Sequence, residues 1–121
     1  MAHTLNQRSL HTRRANFVSY YNTAAGAAAE TLAPGIPFRL VHLHMECSDT
    51  TASENFTITM DNGLGAAYDA ILYSTDLNGG KNLSKSWGNE EMWFHGDAEL
   101  DIAYANSNSR TWGLEIIVEL G

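Results

Sequence analysis

Thr111-Trp112-Gly113-Leu114-Glu115-Ile116-Ile117-Val118-Glu119-Leu120 is the stretch whose reading decides the fold. Trp112, Leu114, Ile116, Val118 and Leu120 fall on every second position, and Glu115 and Glu119 lie opposite. A period of two puts one set of side chains on each face of a strand, so this segment reads as a strand with one buried face.

The same period runs backward along the chain. Ala98 to Ala105 alternates Leu100, Ile102 and Tyr104 with Glu99 and Asp101. Glu54 to Asp61 sets Phe56, Ile58 and Met60 against Thr57 and Thr59, and threonine is a good strand former on a solvated face. Ala67 to Thr75 sets Tyr68, Ala70 and Leu72 against Asp69, Ile71 and Tyr73. Strict alternation in Phe38 to Cys47 places Val41, Leu43 and Met45 on one face and Phe38, Leu40, His42, His44 and Glu46 on the other. A further strand, with loosely marked limits, is expected near Glu91 to His95. Asp61-Asn62-Gly63-Leu64-Gly65, Asp76 to Asn82, His95-Gly96-Asp97 and Asn106 to Arg110 are turn-rich connections. Short strands joined by such turns, with no amphipathic helix, predict an all-β antiparallel sandwich of jelly-roll type.

The first residues read differently. Ala27 to Leu32 is expected to enter the sandwich as a strand, ended by Pro34-Gly35. Residues 1–26 are assigned to an extended N-terminal arm and residues 27–121 to the sandwich domain. Residues 1–29 hold Arg8, Arg13 and Arg14 and no acid, whereas the remainder holds all fourteen acids and four bases. The arm is thus +3 and the body −10, within a net charge of −7. Such a split suggests an arm with its own electrostatic task, in which Arg8, Arg13 and Arg14 meet acidic side chains and Phe17, Val18, Tyr20 and Tyr21 grip a neighbour. The acidic body argues against nucleic acid as partner, since that needs a clustered basic face. No apolar run approaches the ~20 residues of a membrane helix. The opening eight residues lack the apolar core of a secretory signal, so none is expected. One cysteine, Cys47, leaves no internal disulfide.

Few residues suggest chemistry. His42 and His44 stand two apart on one strand face, a spacing able to seat a metal, with His95 the later histidine. A His-x-His opening is similar to the cupins, although the rest of their pattern is missing. Asp97, Glu99 and Asp101 form an acidic row that could bind Ca²⁺, meet basic residues of a partner, or face solvent. Cys47 and His44 project to opposite faces and form no dyad. The chain is therefore expected to be non-enzymatic and without cofactor. Trp112 is in phase with the core, which leaves Trp87 and Trp93 as candidates for an interface or a glycan platform.

Taken together, Phe38 to His44, Glu54 to Asp61, Gly96-Asp97 with Leu100 to Asn106, and Trp112 to Ile116 resemble small jelly-roll structural proteins of tailed bacteriophages, of the kind that decorate or cement the capsid. The resemblance spans about residues 27–121. It implies a virion protein made in the host cytoplasm, bound to the major capsid protein as a small symmetric homo-oligomer, a trimer being favoured. The alternatives are a phage tail receptor- or carbohydrate-binding module using Trp87 or Trp93, and a cupin-like metal-binding protein using His42, His44 and His95.

Overall fold

The computed structural model describes residues 3–9, 16–61, 65–88 and 92–121. The strands are β1 (His3–Thr4), β2 (Asn6–Ser9), β3 (Asn16–Ala25), β4 (Ala28–Leu32), β5 (Phe38–Cys47), β6 (Asn55–Asp61), β7 (Ala70–Asp76), β8 (Asn82–Ser86), β9 (Glu99–Tyr104) and β10 (Thr111–Leu120). They form two five-stranded sheets, a front sheet ordered β2-β3-β10-β5-β8 and a back sheet ordered β1-β4-β9-β6-β7. Apart from β1 beside β4, every pairing is antiparallel. The pairings are nested: β3 with β10, β4 with β9, β5 with β8, and β6 with β7. The two inner faces close on a core that includes Trp112, Tyr104, Phe38, Phe56, Leu43 and Ile116, all fully buried.

The alternation that predicts β9 and β10 holds in the structure. Leu100, Ile102 and Tyr104 are buried from β9, and Trp112, Leu114, Ile116 and Val118 from β10. In β5 it fails at one residue. Ile117 pairs with His42 while Val118 pairs with Leu40, so Val41 is an extra residue in the ladder. Such a bulge reverses the facing of everything beyond it. Phe38 and Leu40 therefore share the buried face with Leu43, Met45 and Cys47, while His42, His44 and Glu46 stand outside. The expected grouping of Phe38 and Leu40 with the histidines is corrected accordingly.

The N-terminal segment is not a projecting arm. β3 pairs with β10 over ten residues, Asn16 opposite Leu120 through Ala25 opposite Thr111. Val18 and Tyr20 point into the core, and Tyr21 is half-buried on the outer face. Val18 and Tyr20 thus fill the chain's own sandwich. The sequence of Ala15 to Tyr21 allows either a strand or an adhesive segment, and its short apolar alternation does not show that the strand is central to its sheet. β2 adds to β3, β1 adds to β4 in the opposite sheet, and Leu5 between them is 5% exposed. The first described residues thus strap one open edge of the sandwich. Leu5 also donates its backbone N–H to the Thr31 carbonyl at 3.1 Å.

Glu30 shows how the strap is tied. Its side chain points inward from β4 and is 3% exposed. A carboxylate so placed is costly unless hydrogen-bonded. Here Asn22 Nδ2 donates to it at 2.6 Å and His3 Nδ1 lies 3.0 Å away. One buried acid thereby joins β1, β3 and β4.

At the other edges the outcome is also mixed. β7 begins at Ala70, after a short 3-10 turn at Ala66–Tyr68. No apolar alternation predicts β8, because Asn82 to Ser86 lacks apolar residues apart from Leu83. Near residue 94, where a strand was expected, the chain makes a single bridge between Phe94 and Phe38.

Candidate binding cleft

The bridge at Phe94 builds one wall of a cleft that could take a ligand. Phe94 exchanges both backbone hydrogen bonds with Phe38, at 2.7 and 3.1 Å. Its ring stacks on the Phe38 ring with centroids 5.2 Å apart. An inward Phe94 turns the adjacent Trp93 outward, and Trp93 is 44% exposed. The chain then turns, with Ala98 donating its N–H to the His95 carbonyl at 3.0 Å. Gly96 has no room for a side chain: a Cβ there would lie 3.0 Å from the Ile36 Cα and 3.1 Å from the Gly35 carbonyl oxygen. The turn is therefore pressed against the β4–β5 connection. Pro37, beside it, accepts the Gly121 N–H at 2.7 Å.

Between this turn and the end of β6 lies a cleft of about 380 Å³, lined by Met60, Asp61, Trp93, Phe94, His95, Asp97 and Ala98. The lining thus combines apolar side chains and an indole with two carboxylates and an imidazole. The back sheet beside it is acidic. Asp61 pairs with Glu99 in the ladder, and Asp101 follows on β9. The Asp101 carboxyl is pushed above its ordinary range, first by burial and then by the charges of Asp61 and Asp69, with a Thr31 hydrogen bond opposing. Of the expected acidic row, Asp97 lines the cleft, Glu99 is exposed, and Asp101 belongs to this second group.

Other expected site residues are placed elsewhere. Trp87 is partly buried against the core, in edge-to-face contact with Tyr73 at 6.0 Å, with the Lys85 ammonium over both rings. Arg8 is held on the outer front sheet. It donates to Glu115 at 2.6 Å, and its guanidinium lies 4.6 Å from the Tyr21 ring centroid. Ser19 also donates to Glu115 at 2.6 Å, and the two hydrogen bonds hold that carboxyl below its ordinary range. Arg8 and Tyr21 thus serve their own sheet. Arg13 and Arg14 lie outside the described residues.

His42 and His44 are on the outer front sheet, where His42 Nε2 is 3.4 Å from Ser84 Oγ. His95 lies in the cleft and does not meet them. Among the described residues no group of three or more His, Cys, Asp or Glu is placed to hold a metal ion. Cys47 points into the core, and burial pushes its thiol up, away from the reactive thiolate. Burial likewise pushes the neighbouring Tyr104 hydroxyl up to about 12. That hydroxyl donates to Asn106, whose amide nitrogen donates to the carbonyls of Gly26 and Arg110. This cluster fastens the β3–β4 turn to the β9–β10 turn.

No family model and no curated protein matches the chain. One similar solved structure is a periplasmic lysozyme inhibitor of g-type lysozyme (PliG) from Aeromonas hydrophila. It is 10% identical and superposes with a TM-score of 0.42 over 99% of this chain and 97% of that one. The expected capsid decoration protein, with the major capsid protein and sister copies as partners and the virion as location, is corrected on this finding. The matched structure is a bacterial periplasmic protein, not a phage particle protein. The residues meant to grip a neighbour, Val18 and Tyr20 above all, are also spent inside the fold. A likeness this distant carries neither the inhibitor's target nor its compartment to the present chain.

Proposed function

We propose that the chain is a non-catalytic carbohydrate-binding sandwich of jelly-roll type, with its ligand seated in the Trp93 cleft. The nested strand pairing supports the jelly-roll assignment, since eight strands in two facing sheets, β3-β10-β5-β8 and β4-β9-β6-β7, follow the two-Greek-key plan. The half-exposed indole of Trp93, lining a concave site together with Asp61, His95 and Asp97, carries the functional reading. Ligand sites are concave and largely apolar, with a few polar groups that fix orientation. A sugar ring presents one apolar C–H face and a rim of hydroxyls. A flat indole matches the first, and Asp97 and His95 match the second.

The test is a glycan array probed with the full chain and with Trp93→Ala, each first shown to be folded by circular dichroism. Binding to a defined glycan, weakened about tenfold or more in the variant, is the expected result; that corresponds to about 1.4 kcal/mol. Trp87→Phe, which alters a ring packed on the core flank, leaves binding intact. Glycan binding that survives Trp93→Ala would refute the assignment, as would a blank array.

A further inference from the structure

We propose that the outer front sheet carries a second, auxiliary saccharide site, a groove over Gly113 that takes uncharged pyranose units of a long polysaccharide. The inference rests on the carbohydrate reading above and adds to it a second place of contact and a preference for polymers. Gly113 sits in β10, the middle strand of its sheet, and faces out over a groove of about 330 Å³.

The fold makes no demand for glycine at this position. The ladders to β3 and β5 run unbroken from residue 112 to residue 117, and the bulge lies beyond them. A Cβ on Gly113 would meet nothing closer than Thr23 Oγ1 at 3.7 Å, an ordinary contact. Glycine inside a strand weakens it, through backbone entropy and forgone packing. Where it occurs it marks a bulge, a sharp bend, or the close approach of a ligand or another backbone. Unbroken ladders leave the last of these, with bare backbone as the floor for something that lies flat upon it.

The walls choose the ligand. Thr23 and Glu46 flank Gly113 as its ladder partners on β3 and β5, and both are exposed. Tyr21, Glu115 and His44 form the next row. Arg8 is closed on Glu115 at 2.6 Å and lies over the Tyr21 ring, so an ionic ligand would have to compete with a pair already made. An uncharged sugar does not. Its flat C–H face suits the backbone at Gly113, and neighbouring hydroxyls match the two acceptor oxygens of Glu46. The Thr23 hydroxyl can both donate and accept.

Hydrogen bonds on so open a rim contend with water and hold little by themselves. The Trp93 ring lies near Gly121, where a Cβ would come within 3.6 Å of it. Gly113 precedes Gly121 by eight residues, roughly 27 Å of strand at ~3.4 Å per residue. A disaccharide cannot span that distance. A polymer held in the cleft can present further units to the groove, which then adds a tethered contact.

The experiment measures retention of the full chain, Gly113→Val, Glu46→Gln and Trp93→Ala on immobilised dextran, mannan, mixed-linkage β-glucan and polygalacturonate. Calorimetric titration with the corresponding neutral disaccharides and thermal unfolding accompany it. The expected result is that a neutral polymer holds the parent and holds Gly113→Val about tenfold less, with disaccharide affinity unchanged. Gly113→Val also raises Tm by about 2–4 °C, since a β-branched residue suits a central strand better than glycine. Glu46→Gln, at an exposed position, weakens retention in the same direction and leaves Tm unmoved. Trp93→Ala lowers polymer and disaccharide binding together. Retention unchanged in both Gly113→Val and Glu46→Gln would overturn the proposal. So would a Tm lowered by Gly113→Val, which would make the glycine structural. Polygalacturonate held as tightly as the neutral polymers would overturn the choice of ligand. Disaccharide binding with no polymer retention would remove the groove and leave the cleft. Absence of any saccharide binding would remove both. Retention lost in Gly113→Val and untouched in Trp93→Ala would remove the cleft and leave the groove standing.

Discussion

Leu5→Ala separates a strap from a loose arm. In a solvated arm the substitution costs almost nothing. In the fold described above, Leu5 is 5% exposed and wedged where the chain passes from the back sheet to the front one. Truncation to alanine removes three buried carbons. At about 0.8 kcal/mol per methylene, the transfer cost is about 2.4 kcal/mol before any cavity term. An unfolding entropy of about 2.1 cal/mol/K per residue gives roughly 250 cal/mol/K for a chain this long, so 2.4 kcal/mol lowers Tm by about 10 °C. That figure is an upper one. If β1 and β2 detach before the sandwich melts, the loss is capped by their own local stability. Two measurements cover both cases. Thermal unfolding followed by near-ultraviolet circular dichroism reads the global cost. Hydrogen exchange at the residue 5 amide, which donates to Thr31, reads local opening. Gln7→Ala, at an exposed position of the same strap, serves as the control and leaves both unchanged. A Leu5→Ala protein melting within about 1 °C of the parent, with exchange at residue 5 as fast in both, would refute the strap.

Two further outcomes follow from the titratable groups Asp101 and Cys47. Asp101 has its carboxyl pushed up from 3.8 by burial and by Asp61 and Asp69, so the folded protein holds that proton more tightly than the unfolded chain does. Its contribution is therefore favourable below the unfolded value and lost as pH rises through the folded one. Asp101→Asn is expected to raise the urea midpoint at neutral pH and to lose that advantage in acid; a lowered midpoint at neutral pH would contradict the assigned repulsion. Cys47 is buried with its thiol pushed up, first by burial, so a thiol-disulfide reagent is expected to modify it orders of magnitude more slowly in the native protein than in urea. Equal rates in the two conditions would place it at the surface.

What the sequence disclosed followed how each strand is buried. β9 and β10 each press one face on the core and turn the other outward, and their letters alternate accordingly. β5 carries the same signal with one residue inserted at Val41. Nothing in Phe38 to Cys47 announces the insertion, because valine suits either face. Only the partner strand reveals it. β8 is silent in the sequence for a different reason. It is an edge strand whose serines and lysine need bury nothing, so backbone pairing with β5 holds it without an apolar pattern. β1 and β2 are shorter still, and their tie to the core rests on Leu5 and on the burial of Glu30. An acid in a strand reads as an outward residue. Its inward orientation here depends on Asn22 and His3, which no local pattern connects to it.

The same distinction explains why composition singled out two tryptophans but could not rank them. Trp87 follows β8 and turns toward the core flank, where Tyr73 and Lys85 cover it. Trp93 precedes an anchored phenylalanine, and the anchoring is what exposes it. Phe94 is fixed by Phe38, a residue 56 positions earlier in the chain that the bulge at Val41 keeps on the buried face along with Leu43. The exposure of Trp93 is thus a consequence of strand register elsewhere. Moving the register of β5 would change what Phe94 stacks on, and with it the wall of the cleft. The candidate site is in this sense carried by the core: the aromatic that would meet a ligand stands outward because its neighbour is held in.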